Sequence, residues 1–261
     1  MTDQLQFDSA AARQTEAQYT SPLVAARRQR VLGLLGLRAG EAVLDIGTGP
    51  GFLTDEMARA VGSAGRVEGI DRSRDMLAPA RRRCADLSQV TIHEADAVEI
   101  PFPAATFDAA IAVQVYEYVP DMAAALRELY RVLRPGGRAV IVDTDWASLV
   151  WEAQDRARAE RVFNAWDEHL ADSYLPRRLA PLLRESGFEV AKVEPYTAIS
   201  LSPEPYATGL ASLIAGFVPG RRGVTTADAA AWLADLAETS ASGRYFFSLT
   251  AFLFLAKRAA A

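Results

Sequence analysis

Cysteine is almost absent from this sequence: Cys84 is the only one in 261 residues. A single thiol has no partner for an internal disulfide bond, and it falls short of the ligands that a cysteine-rich metal site needs. Such sparse use of cysteine is typical of a reducing compartment. The sequence therefore predicts a cytoplasmic protein, and we expect no metal site.

Long apolar runs and an excess of basic charge are also missing. No run reaches the length of a membrane-spanning helix, and residues 1–19 have no apolar core of the kind found in a signal peptide. The 28 basic and 33 acidic side chains give a net charge of −5, whereas nucleic-acid binding needs a basic surface that neutralises phosphates. We therefore expect neither a membrane span nor a nucleic-acid partner.

Glycine is concentrated in the stretch "VLDIGTGPGF", residues 43–52. The apolar residues before its acid have the composition of a buried parallel strand, and the apolar residues that follow recur at helical spacing. Gly47, Gly49 and Gly51 therefore lie in a strand-to-helix turn. Glycines in such a turn allow a ligand to approach the backbone closely, and the start of the helix presents N–H groups to that ligand.

Strand-like and helix-like segments alternate through the first half of the chain. Beyond the first strand, strand patterns lie at residues 65–71, 90–96, 107–115 and 138–146. This alternation predicts an α/β fold with a parallel sheet and helices on both faces. The second half has longer helical patterns, at 204–217 and 226–239, before a last strand at 244–257.

Two acids distinguish between the ligands that such a turn binds. Dinucleotide-binding proteins place Gly or Ala at the sixth position of the glycine motif, but here Phe52 occupies it. Asp71 ends the second predicted strand, at a separation that suits the hydroxyl groups of a ribose. Asp96 ends the third, where its carboxylate can accept a hydrogen bond from an adenine amine. The pattern favours an adenosine ligand without a second nucleotide.

On these residues, the sequence resembles the class I S-adenosylmethionine-dependent methyltransferases. The motifs "VLDIGTGPG", "GID", "EADA", "FDAAIAVQVYEYV" and "LRPGGRAVIVD" occur in that family's order. The resemblance implies a Rossmann-like, doubly wound sheet of seven strands with an antiparallel last strand and helical substrate-side additions at 146–180 and 204–239. It also implies one domain in three parts: an N-terminal helical lid (1–21), a cofactor-binding core (22–145), and substrate-side helices with the final strands (146–261).

The resemblance further implies that S-adenosylmethionine binds at the ends of the first four strands. The implied contacts are Asp45, Gly47, Gly49 and Gly51 at its methionine end, Asp71 at the ribose, Asp96 and Ala97 at the adenine, Gln114 at the methionine moiety, and Tyr19 on an N-terminal helix that folds over the cofactor.

Methyl transfer from a sulfonium mainly requires that the acceptor be aligned and water excluded. A general base helps only when the acceptor must lose a proton. Candidates follow the fourth and fifth strands, where ligands of open α/β sheets bind. They are Tyr116, Glu117 and Asp145 as the catalytic residues, Asp143 beside them, and His169 further along. Asp143 and Asp145 also suit turn caps, and we expect His169 on a helix surface.

Several subclasses are disfavoured by residues that are missing. Metal-dependent catechol-type enzymes place an acid after the fourth strand and an Asp–Asn pair after the fifth, but Gln114 occupies the first position and Asn164 is the only asparagine. Amino methylation of DNA bases uses an Asn/Asp-Pro-Pro-Tyr motif, where this chain has "QVYEYV". Arsenite methylation needs several thiols. Methylation of a quinone ring stays open.

We therefore expect a methyltransferase that moves a methyl group to oxygen, nitrogen or carbon of a small organic molecule, as a monomer or homodimer. All four tryptophans lie beyond residue 145, where the aromatic side chains either line an acceptor cavity or build a core. Two alternatives remain: a non-methylating enzyme of the cyclase or cyclopropane-forming type, and a non-catalytic partner that binds S-adenosylmethionine.

Overall fold

One sheet organises residues 19–260, the part of the chain that the computed structural model describes. Its seven strands are β1 (Ala42–Ile46), β2 (Arg66–Asp71), β3 (Val90–Glu94), β4 (Phe107–Val113), β5 (Leu133–Trp151), β6 (Phe188–Ser200) and β7 (Phe247–Arg258). Their order across the sheet is β3-β2-β1-β4-β5-β7-β6. Strands β1 to β5 pair in parallel, whereas β7 is antiparallel to both of its neighbours. The predicted seven-stranded sheet with an antiparallel last strand is confirmed.

Helices connect most of these strands. Within the same residues they are α1 (Pro22–Leu35), α2 (Phe52–Val61), α3 (Arg74–Arg83), α4 (Met122–Val132), α5 (Arg156–Trp166), α6 (Pro176–Glu185), α7 (Pro205–Phe217) and α8 (Thr226–Ala241), with 3₁₀ turns at Tyr116–Tyr118 and Asp167–His169. Helix α1 begins at the N-cap Ser21, whose hydroxyl accepts a hydrogen bond from Val24 N (3.3 Å). Most of the predicted lid, residues 1–18, lies outside the described residues.

Both faces of the sheet are covered, as the alternating pattern predicts. All five residues of β1 are buried. Val31 of α1 and Met57 of α2 pack in one apolar cluster with sheet residues, whereas Leu126 of α4 and Leu179 of α6 pack in another. The sheet is therefore doubly wound, and its buried strands explain the apolar composition of the first half.

Strand β5 is longer than the sequence predicts. The sequence predicts that this strand ends at Trp146 and that the helical substrate-side addition starts there, but β5 continues to Trp151. Its pairing with β7 is interrupted after Asp145 and then resumes, with Val150 opposite Ser248 and Trp151 opposite Phe247. Val150 and Trp151 are therefore strand because β7, far along the chain, pairs with them, and residues 146–149 form the irregular stretch between the two paired parts of β5. The helices of this addition begin at α5.

An aromatic core joins α5, α7 and α8 to the ends of β5 and β7. Trp151 lies edge-on to Trp232 with ring centroids 5.6 Å apart, and Trp166 lies edge-on to Phe217 at 5.4 Å. All four tryptophans are buried. The aromatic side chains of the second half therefore mostly build a core, and this core supports the edge of the sheet at which the glycine turn lies.

Candidate functional site

The glycine turn after β1 has the positive φ angles that favour glycine. Gly47 and Gly51 have φ of 70° and 83°. A Cβ on Gly51 would lie 2.9 Å from Ala80 Cα of α3, and one on Gly47 would lie 2.2 Å from Val115 Cγ2. At Gly49, whose φ is 52°, the nearest atom to such a Cβ is 4.0 Å away. The outer two glycines therefore permit close packing, while the middle one faces open space.

Asp45, the acid before the turn, is buried beneath it. Asp45 is 2% exposed. Its Oδ2 accepts hydrogen bonds from Thr48 Oγ1 (3.1 Å) and Thr54 Oγ1 (2.5 Å). Burial raises the pKa of this carboxyl to about 6. The sequence analysis missed both threonines, because nothing in their spacing distinguishes them from ordinary turn and helix residues.

Asp71 joins the end of β2 to the glycine turn. Its Oδ2 accepts a hydrogen bond from Gly49 N (2.8 Å), and its Oδ1 accepts one from Ser73 N (2.8 Å). Burial raises the pKa of the carboxyl despite these bonds. The structure thus brings together the predicted turn and the predicted second-strand acid.

The third-strand residues lie further out. Asp96 is exposed beyond the end of β3, and its Oδ1 accepts a hydrogen bond from Val98 N (3.1 Å). Ala97 is buried against the apolar cluster that includes Ile70 and Ile100. Their proposed contact with an adenine stays a prediction.

A narrow cleft opens beside the turn. It is lined by Tyr19, Val24, Arg27, Arg28, Val31, Asp45, Gly47, Thr48, Leu53 and Val113. Tyr19 stacks on Phe52, with ring centroids 5.7 Å apart, and its carbonyl accepts a hydrogen bond from Arg28 Nη1 (2.5 Å). Tyr19 therefore lies at the predicted cofactor region, although Asp96 and Ala97 are not among the described residues that line this cleft.

A second, narrow cavity adjoins the first. Its walls are mostly apolar and come from α1, α7 and the ends of β5, β6 and β7: Leu23, Val24, Arg27, Thr144, Tyr196, Ala198, Tyr206, Leu249 and Ala251. Val24 and Arg27 line both cavities. Tyr196 and Tyr206 thus line a cavity, which is one of the two roles expected for the aromatic residues of the second half.

Arg27 is a site residue that the sequence analysis missed. It is 7% exposed, and its Nη2 donates a hydrogen bond to Gln114 Oε1 (2.8 Å). Gln114 Nε2 in turn donates to Thr144 Oγ1 (3.3 Å), and the φ of Gln114 is 55°. The available signal was spacing, since Arg27 shares a helix face with the apolar Val24 and Val31.

Glu117 and Asp143 form a buried pair of acids at the ends of β4 and β5. Glu117 Oε2 accepts hydrogen bonds from Thr144 N (3.0 Å) and Trp146 Nε1 (3.3 Å), and Asp143 Oδ1 accepts one from Glu117 N (3.4 Å). The other carboxyl oxygens, Oε1 and Oδ2, have no hydrogen-bond partner among the described residues. Burial raises the pKa of Asp143 to about 7 and the pKa of Glu117 well above its usual value, so the pair retains a proton near neutral pH.

The other two catalytic candidates have different surroundings. Tyr116 is fully buried and packs with Leu126 and Leu175 in an apolar cluster, and burial raises the pKa of its phenol. Asp145 accepts two hydrogen bonds from Arg177, from Nε and Nη2, both at 3.0 Å. Catalytic roles for these two residues stay predictions.

The prediction that His169 lies on a helix surface is wrong. The residue is 0% exposed, its ring stacks on Trp166 with centroids 3.6 Å apart, and its Nδ1 is paired with the Trp166 carbonyl. Burial lowers the pKa of the imidazole to about 3, so the ring is neutral. The reason is tertiary: Trp146 and Phe217, from β5 and α7, also pack around the ring, and local helical spacing does not report this.

Metal ligands, membrane helices and reactive thiols add nothing to this site. In residues 19–260, His, Cys, Asp and Glu side chains nowhere form a group of three that could hold a metal ion. No helix in this range has the length and apolarity that a membrane crossing requires. Cys84 is buried, and burial raises the pKa of its thiol to about 11, which disfavours the reactive thiolate.

Known proteins resemble this chain mainly through its core. Residues 43–137 match a family model described as "Methyltransferase domain". An uncharacterised 37.1 kDa protein in transposon TN4556 of Streptomyces fradiae is 38% identical over 174 residues, which are 65% of this chain and 49% of that protein. A demethylmenaquinone methyltransferase of Staphylococcus aureus is 38% identical over 122 residues, which are 47% of this chain and 51% of that protein. The chain thus spans about half the length of the curated relatives it matches.

Structural similarity extends beyond the matched core. A phosphoethanolamine N-methyltransferase 2 of Haemonchus contortus, solved with phosphomonomethylethanolamine and S-adenosylhomocysteine, aligns with a TM-score of 0.63 at 18% identity, covering 97% of this chain and 58% of that one. This likeness agrees with the strand order of the sheet and with the family match of residues 43–137. Residues 43–137 therefore belong to the methyltransferase-domain family, and the described chain has the fold of the class I S-adenosylmethionine-dependent methyltransferases.

Proposed function

We propose that this protein is an enzyme that transfers a methyl group from S-adenosylmethionine to oxygen, nitrogen or carbon of a small organic molecule. One observation carries the proposal: the cleft at the glycine turn and the apolar cavity at β5, β6 and β7 share Val24 and Arg27 of α1. A cofactor in the first and an acceptor in the second meet at that shared wall. The two cavities therefore suit a two-substrate reaction.

The residues at the first cleft fit S-adenosylmethionine. We assign its methionine end to Asp45 and to the three glycines of the turn, its ribose to Asp71 and its adenine to Asp96 with Ala97, with further contacts from Tyr19 and Gln114. The buried carboxylate of Asp45 suits the cofactor's ammonium group, and the open space at Gly49 leaves the backbone accessible. The H. contortus enzyme of the same fold was solved with S-adenosylhomocysteine, which supports the assignment.

When bound, the cofactor supplies a methyl group that its sulfonium already activates. The protein then has to align the acceptor and exclude water. Alignment contributes about 7–11 kcal/mol through effective molarity, whereas a general base contributes roughly 10²–10⁴-fold in rate. Val24 and Tyr206, which wall the second cavity and are each at most 8% exposed, serve both needs. No single polar side chain has to be indispensable.

If the acceptor must lose a proton, the Glu117–Asp143 pair is the best-placed group to accept it, because the pair retains one proton near neutral pH and can take up a second. Glu117 Oε1 is buried without a hydrogen-bond partner among the described residues, and Glu117 Oε2 is held by Thr144 N, whose residue lines the second cavity. Asp143 shares the proton of the pair. Tyr116 and Asp145 then position the ends of β4 and β5, Asp145 through its ion pair with Arg177.

The finer features of the proposal follow from composition and family. The net charge of −5 favours a small-molecule acceptor over nucleic acid. We propose a cytoplasmic protein that acts as a monomer or homodimer. A quinone-type ring is one acceptor to include, since one relative carries the name demethylmenaquinone methyltransferase.

Incubation with S-adenosylmethionine labelled in its methyl group, together with the small-molecule fraction of a cell extract, tests the proposal. We expect label in one organic product, in proportion to enzyme, and a strongly reduced amount with the Asp71→Ala variant. The control variant Asp86→Ala changes an exposed aspartate just after α3. It should give the same amount of labelled product as the unmodified protein.

Two outcomes would favour the alternatives. A substrate that is consumed without incorporation of label indicates a cyclase or another non-methylating enzyme. Tight binding of the cofactor with no consumption of any extract component indicates a non-catalytic partner. Either result contradicts methyl transfer.

A further inference from the structure

Arg27 carries a positive charge into the shared wall of the two cavities. It lies on α1 with 7% exposure, and none of the ion pairs formed within residues 19–260 includes it, whereas the neighbouring Arg28 pairs with Glu56 at 2.9 Å. A buried cation without a carboxylate partner is costly in free energy. This site therefore has a charge that a ligand can complement.

A neutral side chain, Gln114, connects the Arg27 guanidinium to the second cavity. Arg27 Nη2 donates to Gln114 Oε1 (2.8 Å), and Gln114 bonds to Thr144, which lines that cavity. Tyr206 lines the same cavity as Arg27. Arg27 thus connects to the acceptor side of the shared wall through Gln114 and Thr144.

The rest of the second cavity is chiefly apolar, with Leu23, Ala198, Leu249 and Ala251 among its walls. Burial raises the pKa of the nearby Glu117 well above its usual value, so that acid is largely protonated. Asp45 lines the first cleft together with Arg27, but the side-chain hydrogen bond that Arg27 forms within residues 19–260 goes to the neutral Gln114. A planar guanidinium suits a carboxylate, which it can bind through two parallel hydrogen bonds.

We propose that Arg27 binds an anionic group of the carboxylate type on the methyl acceptor, whose apolar or aromatic body lies against the apolar walls of the second cavity. This inference rests on the proposed function, because only methyl transfer makes the bound molecule a methyl acceptor. The competing ligand of Arg27 is the carboxylate of the cofactor's own methionine end, because Arg27 also lines the first cleft. The experiment has to separate these two anions.

Calorimetric titration tests this anion site with 2-naphthoate and its neutral counterpart 2-naphthamide. Each compound is titrated with and without saturating S-adenosylhomocysteine. The unmodified protein should bind naphthoate at least about tenfold more tightly than naphthamide, the size expected for a charge-assisted hydrogen bond. Arg27→Gln should remove that preference. Arg30→Gln is the matched control, since Arg30 is on the same helix but half exposed and paired with Glu194, and it should retain the preference.

The cofactor arm compares S-adenosylhomocysteine with 5′-methylthioadenosine, which lacks the amino acid end. If Arg27 serves the acceptor, Arg27→Gln should change both affinities by less than about threefold. Weaker binding of S-adenosylhomocysteine alone would show that Arg27 binds the cofactor's carboxylate and would overturn the proposal, as would equal or absent binding of naphthoate and naphthamide to the unmodified protein.

Two further outcomes keep the inference separate from folding and from the proposed function. If Arg27→Gln does not fold, Arg27→Lys replaces it, because lysine keeps the charge but cannot form two parallel hydrogen bonds to a carboxylate. Arg27→Lys should reduce the preference for naphthoate. An undiminished preference contradicts the proposal. Selective naphthoate binding by a protein that does not bind S-adenosylhomocysteine would support the anion site and remove the proposed function.

Discussion

At the scale of single residues, Asp71 bonds to two backbone N–H groups, of Gly49 and Ser73, and so connects β2 with the glycine turn. Because Asp71 is also the predicted ribose contact, its carboxylate has both a structural and a ligand-binding task. The two tasks make Asp71 the most informative single position beside the glycine turn.

We expect Asp71→Ala to weaken S-adenosylhomocysteine binding by roughly 1.5–3 kcal/mol, the usual contribution of a hydrogen bond to a charged group. Asp96→Ala should cost less, because Asp96 is exposed. Calorimetry on both variants checks the order of the effects, with thermal unfolding to verify the fold. An unchanged affinity in folded Asp71→Ala would remove the ribose assignment.

Asp143 makes stability depend on pH in a direction that is unusual for an acid. Burial raises its pKa to about 7 in the folded protein, so the folded state keeps a proton that the unfolded state releases near pH 4. The contribution to stability is therefore fully present below about pH 4 and is lost as the pH rises toward 7. Asp143→Asn should flatten this fall in Tm, where each kcal/mol corresponds to roughly 2–4 °C.

Thermal unfolding between pH 5 and 8 measures that difference. The gain of Asp143→Asn over the unmodified protein should grow with pH, while the control Asp86→Asn, at an exposed position, should show a constant difference. Parallel Tm curves for Asp143→Asn and the unmodified protein would mean that the carboxyl is not protonated in the fold.

At the scale of elements, the glycine before α2 and the glycine after α1 are both left-handed but have different surroundings. Gly51 has φ 83° and ψ 13°, and Gly36 has φ 58° and ψ 56°. A Cβ on Gly51 would lie 2.9 Å from Ala80 Cα, whereas a Cβ on Gly36 would have no atom within 4 Å. The pair separates the cost of a left-handed conformation from the cost of pushing α2 and α3 apart.

We expect Gly36→Ala to lower the free energy of unfolding by about 1–2 kcal/mol, the conformational cost alone. Gly51→Ala should cost a further 1–3 kcal/mol or so, because the backbone of α3 cannot yield as a flexible side chain does. Urea unfolding of both variants gives the comparison. Equal losses would show that α3 moves aside without cost, and the close approach would then have no role.

At the scale of the whole molecule, the sequence predicts the core because parallel strands and their turns are encoded locally. The apolar strand before Gly47 and the acid Asp71 at the end of the next strand are readable from composition and spacing. The length of β5 is not, because its extension to Trp151 depends on pairing with β7. The burial of Arg27 and His169 could not be predicted for the same reason, because it depends on elements that pack against them from elsewhere in the chain.

The aromatic residues show how far composition reaches in choosing between a cavity and a core. Tyr196 and Tyr206 line the second cavity, but Trp166 and Trp232 are buried in the aromatic core. Both environments favour the same residue types, so only three-dimensional packing separates them. The acceptor therefore has to be identified from the cavity and from Arg27, rather than from aromatic content.

The most direct test of the glycine turn as an S-adenosylmethionine site is calorimetric titration of the full chain with S-adenosylmethionine, S-adenosylhomocysteine and NAD. We predict binding of both adenosyl compounds at one site per chain and no comparable binding of NAD, because Phe52 replaces the small residue of the dinucleotide motif. Binding of NAD as tight as that of S-adenosylhomocysteine, or tighter, would contradict the site and the methyl transfer proposed from it.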